Sequence, residues 1–193
     1  MSLELIGSHA CFGGEQRFYR HDSREIGLPM RFAVFLPAQA LGEPSRRVPT
    51  LMFLAGLTCT EETATIKAGA QRLAAEHGLA LIMPDTSPRG AGVEGESAAW
   101  DFGVGAGFYL DATQQPWSKH WRMESYIVEE LRELLGAELP IDLARLGLTG
   151  HSMGGHGALT LALRHPGLFK TVSAFAPILS LIHILTLPTT PYV

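Results

Sequence analysis

Along the chain, short apolar runs closed by glycine or proline alternate with segments whose apolar residues recur every three to four positions. VPTLMFLAG (48–56) and LALIMPD (79–85) are almost continuously apolar, the pattern of strands covered on both faces. RLGLTG (145–150) and TVSAFAPI (171–178) add two further strands. Residues 3–20 and 30–37 (MRFAVFLP) read as two leading strands joined by a polar turn. Thr60 followed by Glu61 and Glu62 marks a helix start, a hydroxyl cap with acids in the first turn. Ile66, Ala70, Leu73 and Ala74 then form the helix's inward face, and His77-Gly78 stops it. A second amphipathic helix over 119–136 turns Met123, Ile127, Leu131, Leu134 and Leu135 inward, and a third spans 153–165. A glycine-rich loop from Thr86 to the region of Trp117 interrupts the alternation. Strands alternating with helices predict an α/β domain: a mostly parallel sheet with right-handed crossovers and helices on both faces, the two leading strands forming an antiparallel edge.

Composition narrows the function classes. With 46% hydrophobic and 18% charged residues, the 193-residue chain has the make-up of a globular domain with a real core. Its formal charge of −4, with Lys and Arg scattered, argues against a nucleic-acid or anionic-membrane partner. Cys11 and Cys59 cannot build a disulfide framework, and no Cys/His spacing suggests a metal. The N-terminus lacks a basic start followed by an apolar run, so no secretory signal is expected, and no apolar stretch has membrane-spanning length. These features predict a soluble, cytoplasmic protein.

The chemistry concentrates in Gly150-His151-Ser152-Met153-Gly154, a G-x-S-x-G pentapeptide placed where a buried strand meets a helix. In such an elbow the turn exposes the serine hydroxyl, and the small residues at 150 and 154 let strand and helix approach. The helix N-terminus favours negative charge beside Ser152. A tetrahedral oxyanion needs two backbone donors. The amide of Met153 supplies one, and the loop Gly56-Leu57-Thr58-Cys59 after the third strand supplies the other, through Leu57. An ordinary Gly-Ser turn and an ordinary strand-to-helix loop are the bland readings of the same residues. GVGAGF (103–108) is a weak dinucleotide signal, because no strand precedes it and no helix opens there.

Taken together, GLTCTEET (56–63) and GHSMGGHGAL (150–159) resemble the S-formylglutathione hydrolase (esterase D) family. DFGVGAGFYLDAT (101–113), Pro116-Trp117 and RMESYIVEEL (122–131) match in order and spacing, and the resemblance covers residues 3–178; Glu124 stands where tyrosine is common. The resemblance implies an α/β-hydrolase fold and hydrolysis of the thioester S-formylglutathione to glutathione and formate, with side activity on small esters. It implies no metal or organic cofactor, and a homodimer by analogy. Ser152 carries over as nucleophile, Met153 and Leu57 as oxyanion donors, and Gly56 and Cys59 as active-site loop. Trp100, Asp101, Phe102 and Phe108 are candidates for the substrate pocket, with core packing the alternative for the aromatics.

A hydrolase of this kind takes its partners in the chain order Ser, Asp or Glu, His. After Ser152 there is no Asp or Glu, and the histidines are His156, His165 and His183. His156 lies one turn into the elbow helix and His165 at its end, neither on a loop at the sheet edge. His183, completed by Asp85 or Asp101 from upstream, would be a rearranged triad outside the family pattern. The triad acid and histidine are therefore expected to be missing. LSLIHILTLPTTPYV (179–193) carries no Asp, Glu, Lys or Arg and begins where the resemblance stops. It is either a genuine apolar terminus or, the favoured reading, a frame-shifted or read-through end replacing the last strands and helices. On that expectation residues 1–178 are a partial domain and the chain alone is catalytically incomplete. The alternatives are a related acyl-esterase or acyltransferase of the same fold, and a non-catalytic binding module.

Overall fold

The computed structural model describes residues 3–42 and 46–179. Seven strands form one sheet: β1 (Leu3–Cys11), β2 (Gly14–Asp22), β3 (Pro29–Leu36), β4 (Val48–Leu54), β5 (Ala80–Pro84), β6 (Ile141–His151) and β7 (Val172–Phe175), in the order β1-β2-β3-β5-β4-β6-β7. The sheet is mixed rather than mostly parallel. β1, β2, β3 and β5 pair antiparallel in succession, whereas β5, β4, β6 and β7 run parallel. The antiparallel edge is larger than the sequence suggests because residues 3–20 are two strands. Phe12 and Gly13, at φ of 47° and 76°, make the two-residue turn between them, a conformation whose handedness matches the strand twist.

Helices cover both faces, as the alternation of elements requires. A short α1 (Ala38–Leu41) follows β3. On one face, α2 (Glu61–Lys67) and α3 (Gln71–His77) pack against Ala33, Phe35, Leu81 and Met83. The single helix expected here is broken at Gly69, which sits at φ 62°. The break redirects the chain, so Ile66 and Leu73 face solvent (70% and 51% exposed) while Ala74 is buried. On the other face lies a continuous helical segment of α4 (Met123–Ser125), a π-helical run over Tyr126–Leu131 and α5 (Arg132–Glu138), beside α6 (Met153–Arg164). Met123, Ile127, Leu131, Leu134 and Leu135 all enter the larger core, as their spacing predicts. Buried Glu130 accepts hydrogen bonds from Ser23 Oγ (2.5 Å), Arg24 N (2.6 Å) and Glu25 N (3.0 Å), fastening the β2–β3 connection to this segment. Glu124 is nearly buried and bonds His165 Nε2 at 2.8 Å and Arg164 at 3.0 Å, holding the far end of α6.

The parallel strands bring Ser152 and the loop after β4 to one side. Gly56–Cys59 follow β4, Asp85 follows β5, Ser152 follows β6 and Ala176–Ile178 follow β7. The carboxyl edge of a parallel sheet is where open α/β folds place their ligands. The start of the antiparallel β3 reaches the same edge, where the Asp85 amide bonds the Arg31 carbonyl at 3.1 Å.

Candidate active site

Ser152 forms the turn between β6 and α6 with φ 58° and ψ −119°. A residue with a Cβ pays for this backbone in strain, which persists only where the surroundings impose it. Here they do. A Cβ on Gly150 would overlap the Gly154 carbonyl, and one on Gly154 would overlap the Leu54 carbonyl. The strand and helix are therefore as close as backbones allow. The Ser152 amide donates to the Phe175 carbonyl at 2.9 Å, and its own carbonyl accepts from Ile178 N at 3.1 Å. Elbow and post-β7 segment thus hold each other.

The loop after β4 meets this turn. A Cβ built on Gly56 would stand 3.3 Å from Ser152 Cβ and 3.7 Å from its Oγ. Leu57 is the next residue, and among the described residues its amide has no hydrogen-bond acceptor, whereas Thr58 N donates to Gly105 O (2.9 Å) and Cys59 N to Gly56 O (3.3 Å). Met153 is fully buried as the first residue of α6, where helical N–H groups have no acceptor within the helix. The structure so brings Gly56 against Ser152, with Leu57 and Met153 the next residues along their respective segments. Thr58 sits at φ 64°, a genuine outlier for a β-branched residue. Gly105 allows it, since a Cβ there would come within 2.9 Å of Thr58 Cα.

The glycine-rich loop is the scaffold of this cluster, and sequence reasoning missed its central member. Tyr109 is fully buried and donates its hydroxyl to the Ala55 carbonyl at 2.9 Å. Burial pushes its phenol well above its ordinary range, so it stays a neutral donor. Its ring fits because Gly157 of α6 has no side chain; a Cβ there would lie 2.5 Å from the ring. The Gly105 amide donates to Ser87 Oγ at 2.7 Å, and Trp121 Nε1 donates to Gly103 O at 3.0 Å. Spacing gives no hint of these pairings, because each joins residues 18 or more positions apart.

An apolar cavity of about 500 Å³ lies beside the elbow helix, lined by Asp101, Phe102, Phe108, Trp117, Trp121, His156 and Ile178 among others. Phe102 and Trp117 meet edge to face at 4.6 Å, and Trp117 and Trp121 at 4.7 Å. Asp101, Phe102 and Phe108 line this cavity, whereas Trp100 does not. It is 57% exposed, and the turn formed by the Ala99–Phe102 bridge leaves it outside the lining. Cys59 belongs to the loop, yet it lines a separate cavity of about 200 Å³ with His151.

No acid–histidine pair stands beside Ser152 among the described residues. His165 is tied to Glu124 at the other end of α6. His156 lines the apolar cavity, with Nε2 3.5 Å from Thr160 Oγ1 and Nδ1 unpartnered. Asp85 is held by Arg89 at 2.7 and 2.9 Å and by the Thr86 amide, so it is not free to orient an imidazole. His183 and residues 180–193 of the atypical tail lie outside the described residues. No group of three potential metal-ligating side chains occurs among the described residues, nor is any helix among them long and apolar enough to cross a membrane.

Comparison with known proteins agrees with this geometry. A family model described as "Putative esterase" matches residues 23–187. S-formylglutathione hydrolase from Mus musculus is 53% identical over 178 residues, covering 92% of this chain and 62% of the relative. The S-formylglutathione hydrolase of Paracoccus denitrificans (strain Pd 1222) is 52% identical with the same coverage. Among solved structures, an S-formylglutathione hydrolase from Agrobacterium tumefaciens superposes with a TM-score of 0.87 at 46% identity, covering 91% of this chain and 62% of that one. The chain thus spans less than two thirds of the length of these relatives, and the family match runs past residue 178 into the apolar tail.

Proposed function

The chain belongs to the esterase family that matches it over residues 23–187, and on that premise we propose that it carries the nucleophile half of a serine thioesterase acting on S-formylglutathione. The observation that carries this reading is the joint placement of Ser152 in a strained strand-to-helix turn and of the Gly56–Leu57 loop against its side chain. Ser152 Oγ attacks the formyl carbon, and the carbonyl oxygen, now an alkoxide, is received by the Leu57 and Met153 amides at the positive end of α6. The sulfur leaves as glutathione thiol, and water releases formate from the serine ester. Both steps move a proton from an oxygen nucleophile, which calls for a base. None stands beside Ser152 among the described residues, so the 193 residues alone bind and polarise the thioester but turn it over slowly. Activity on small esters, a cytoplasmic location and a homodimer accompany this reading.

The test is hydrolysis of S-formylglutathione and of 4-nitrophenyl acetate by the chain alone and by the chain joined to the part of the Mus musculus relative that it does not span. The chain alone is expected to match its Ser152→Ala variant. The joined protein is expected to hydrolyse both substrates, and Ser152→Ala to abolish this. Vigorous serine-dependent turnover by the chain alone would refute the incomplete-site reading. Silence of a folded joined protein toward both substrates would refute the hydrolase reading.

A further inference from the structure

A second cavity, of about 510 Å³, opens on the same sheet edge two strands from the elbow, and unlike the first it is polar. Arg31, Thr60, Glu61, Asp85, Ser87 and Arg89 contribute to its wall. Two of the charges are already matched, since Arg89 clasps both oxygens of Asp85 and also donates to the Cys59 carbonyl at 3.1 Å. Glu61 and Arg31 are not. Glu61 is only 5% exposed, yet among the described residues no side chain hydrogen-bonds its carboxylate, its own backbone amide alone does so, and no cation lies within ion-pair distance. Arg31 and Glu62, both exposed at the rim, have no ion-pair partner among the described residues either. A buried carboxylate at a cavity wall with no counter-charge is costly unless something else neutralises it.

We propose that this cavity receives the amino-acid head group of the thiol-side product, the γ-glutamyl end of glutathione, with its α-ammonium on Glu61 and its α-carboxylate on Arg31. The inference rests on the thioesterase reading above. A zwitterion supplies one charge of each sign, an ammonium for buried Glu61 and a carboxylate for Arg31 at the exposed rim, whereas a metal or a simple anion would satisfy only one. Reach agrees. Gly56, against Ser152, is four residues from Thr60, at most about 14 Å of chain. In glutathione the γ-glutamyl α-carbon lies seven bonds from the sulfur, roughly 9 Å when extended. The loop that would receive the oxyanion thus continues directly into the wall that would hold the leaving group. Burial, and then the neighbouring Asp85, raise the Glu61 carboxyl above its ordinary range, and an ammonium placed there would reverse that effect.

Calorimetric titration of the 193-residue chain with S-methylglutathione, a thioether that cannot be hydrolysed, tests the assignment without any turnover. Glu61→Gln is expected to weaken binding roughly tenfold or more, the loss of one charged hydrogen bond. N-acetyl-S-methylglutathione, which lacks the ammonium, should bind the unaltered chain comparably weakly and be indifferent to Glu61→Gln. Arg31→Met should weaken both ligands, and S-methylcysteinylglycine should bind all three proteins alike. The inference is overturned if the unaltered chain binds S-methylglutathione no better than S-methylcysteinylglycine, or if folded Glu61→Gln and Arg31→Met variants, checked by circular dichroism, bind it as the unaltered chain does. Hydrolysis of 4-nitrophenyl acetate by the joined protein reports on the serine reading separately, since that ester carries no head group.

Discussion

In the proposed reading Ser152 carries two burdens at once, a hydroxyl that attacks and a backbone held where side chains fit poorly. The second can be measured without the first. Glycine adopts φ 58° without a Cβ penalty, so Ser152→Gly should be more stable than Ser152→Ala by about 1 kcal/mol in urea denaturation, after allowing for glycine's greater unfolded freedom. Equal stability of the two variants would mean that the turn stores no strain. At this scale much was legible in the sequence. Gly150, Gly154 and Ser152 announce the elbow by type and spacing, and the Gly56–Leu57 loop can be placed by its position after a buried strand. Trp100 was misplaced because a run of neighbouring aromatics does not say which rings face inward; its 57% exposure follows from a local turn.

Elements pack here through absences of side chain as much as through their presence. α6 lies against the glycine-rich loop because Gly157 leaves the volume that the Tyr109 ring fills. Gly157→Ala, which would raise helix propensity in a free peptide, should therefore destabilise the protein by about 1–3 kcal/mol, the usual cost of overpacking. Urea denaturation checks this, and a gain in stability would show that loop and helix can separate freely. The pattern of apolar positions gave the inward face of the 123–138 segment correctly because that segment stays continuous. It failed over 61–77, where Gly69 reverses the chain between two short helices and carries Ile66 and Leu73 outward. The leading hairpin was missed for a similar reason, since an aromatic, Phe12, occupies a turn position that glycine or asparagine would have announced.

Across the whole molecule, one of the buried contacts that tie the antiparallel leading strands to the helical segment on the sheet joins β2 to the π-helical run. His21 of β2 is 2% exposed, stacks on Tyr126 and lies 3.1 Å from its hydroxyl through Nε2, while Nδ1 has no partner among the described residues. Burial holds its pKa below the usual imidazole value, partly opposed by the nearby Glu130. The unfolded chain therefore takes up this proton first as pH falls. The contribution of His21 is present above about pH 6.5 and is lost on acidification through its lowered folded value. The urea midpoint should fall between about pH 7.5 and pH 5, and His21→Gln should fall less; an equal drop would place the acid sensitivity elsewhere. This contact joins residues more than a hundred positions apart, and nothing in local pattern could have paired them. Fold class and the elbow around Ser152 are readable from neighbours in sequence, but the cavities, Tyr109 and the Glu61–Arg31 wall exist only once distant segments converge.

The mutual hold between the elbow and the segment after β7 also constrains how such a protein can change over generations. Gly155 has room for no side chain, because a Cβ would come within 2.9 Å of the Phe175 carbonyl and 3.1 Å of Pro177 Cα. The Ser152 amide and carbonyl are matched to Phe175 and Ile178 in turn. Neither stretch can drift while the other stands still, so among descendants of a common ancestor residues 150–155 and 175–178 should be inherited as one unit, although some twenty positions of helix, loop and strand lie between them.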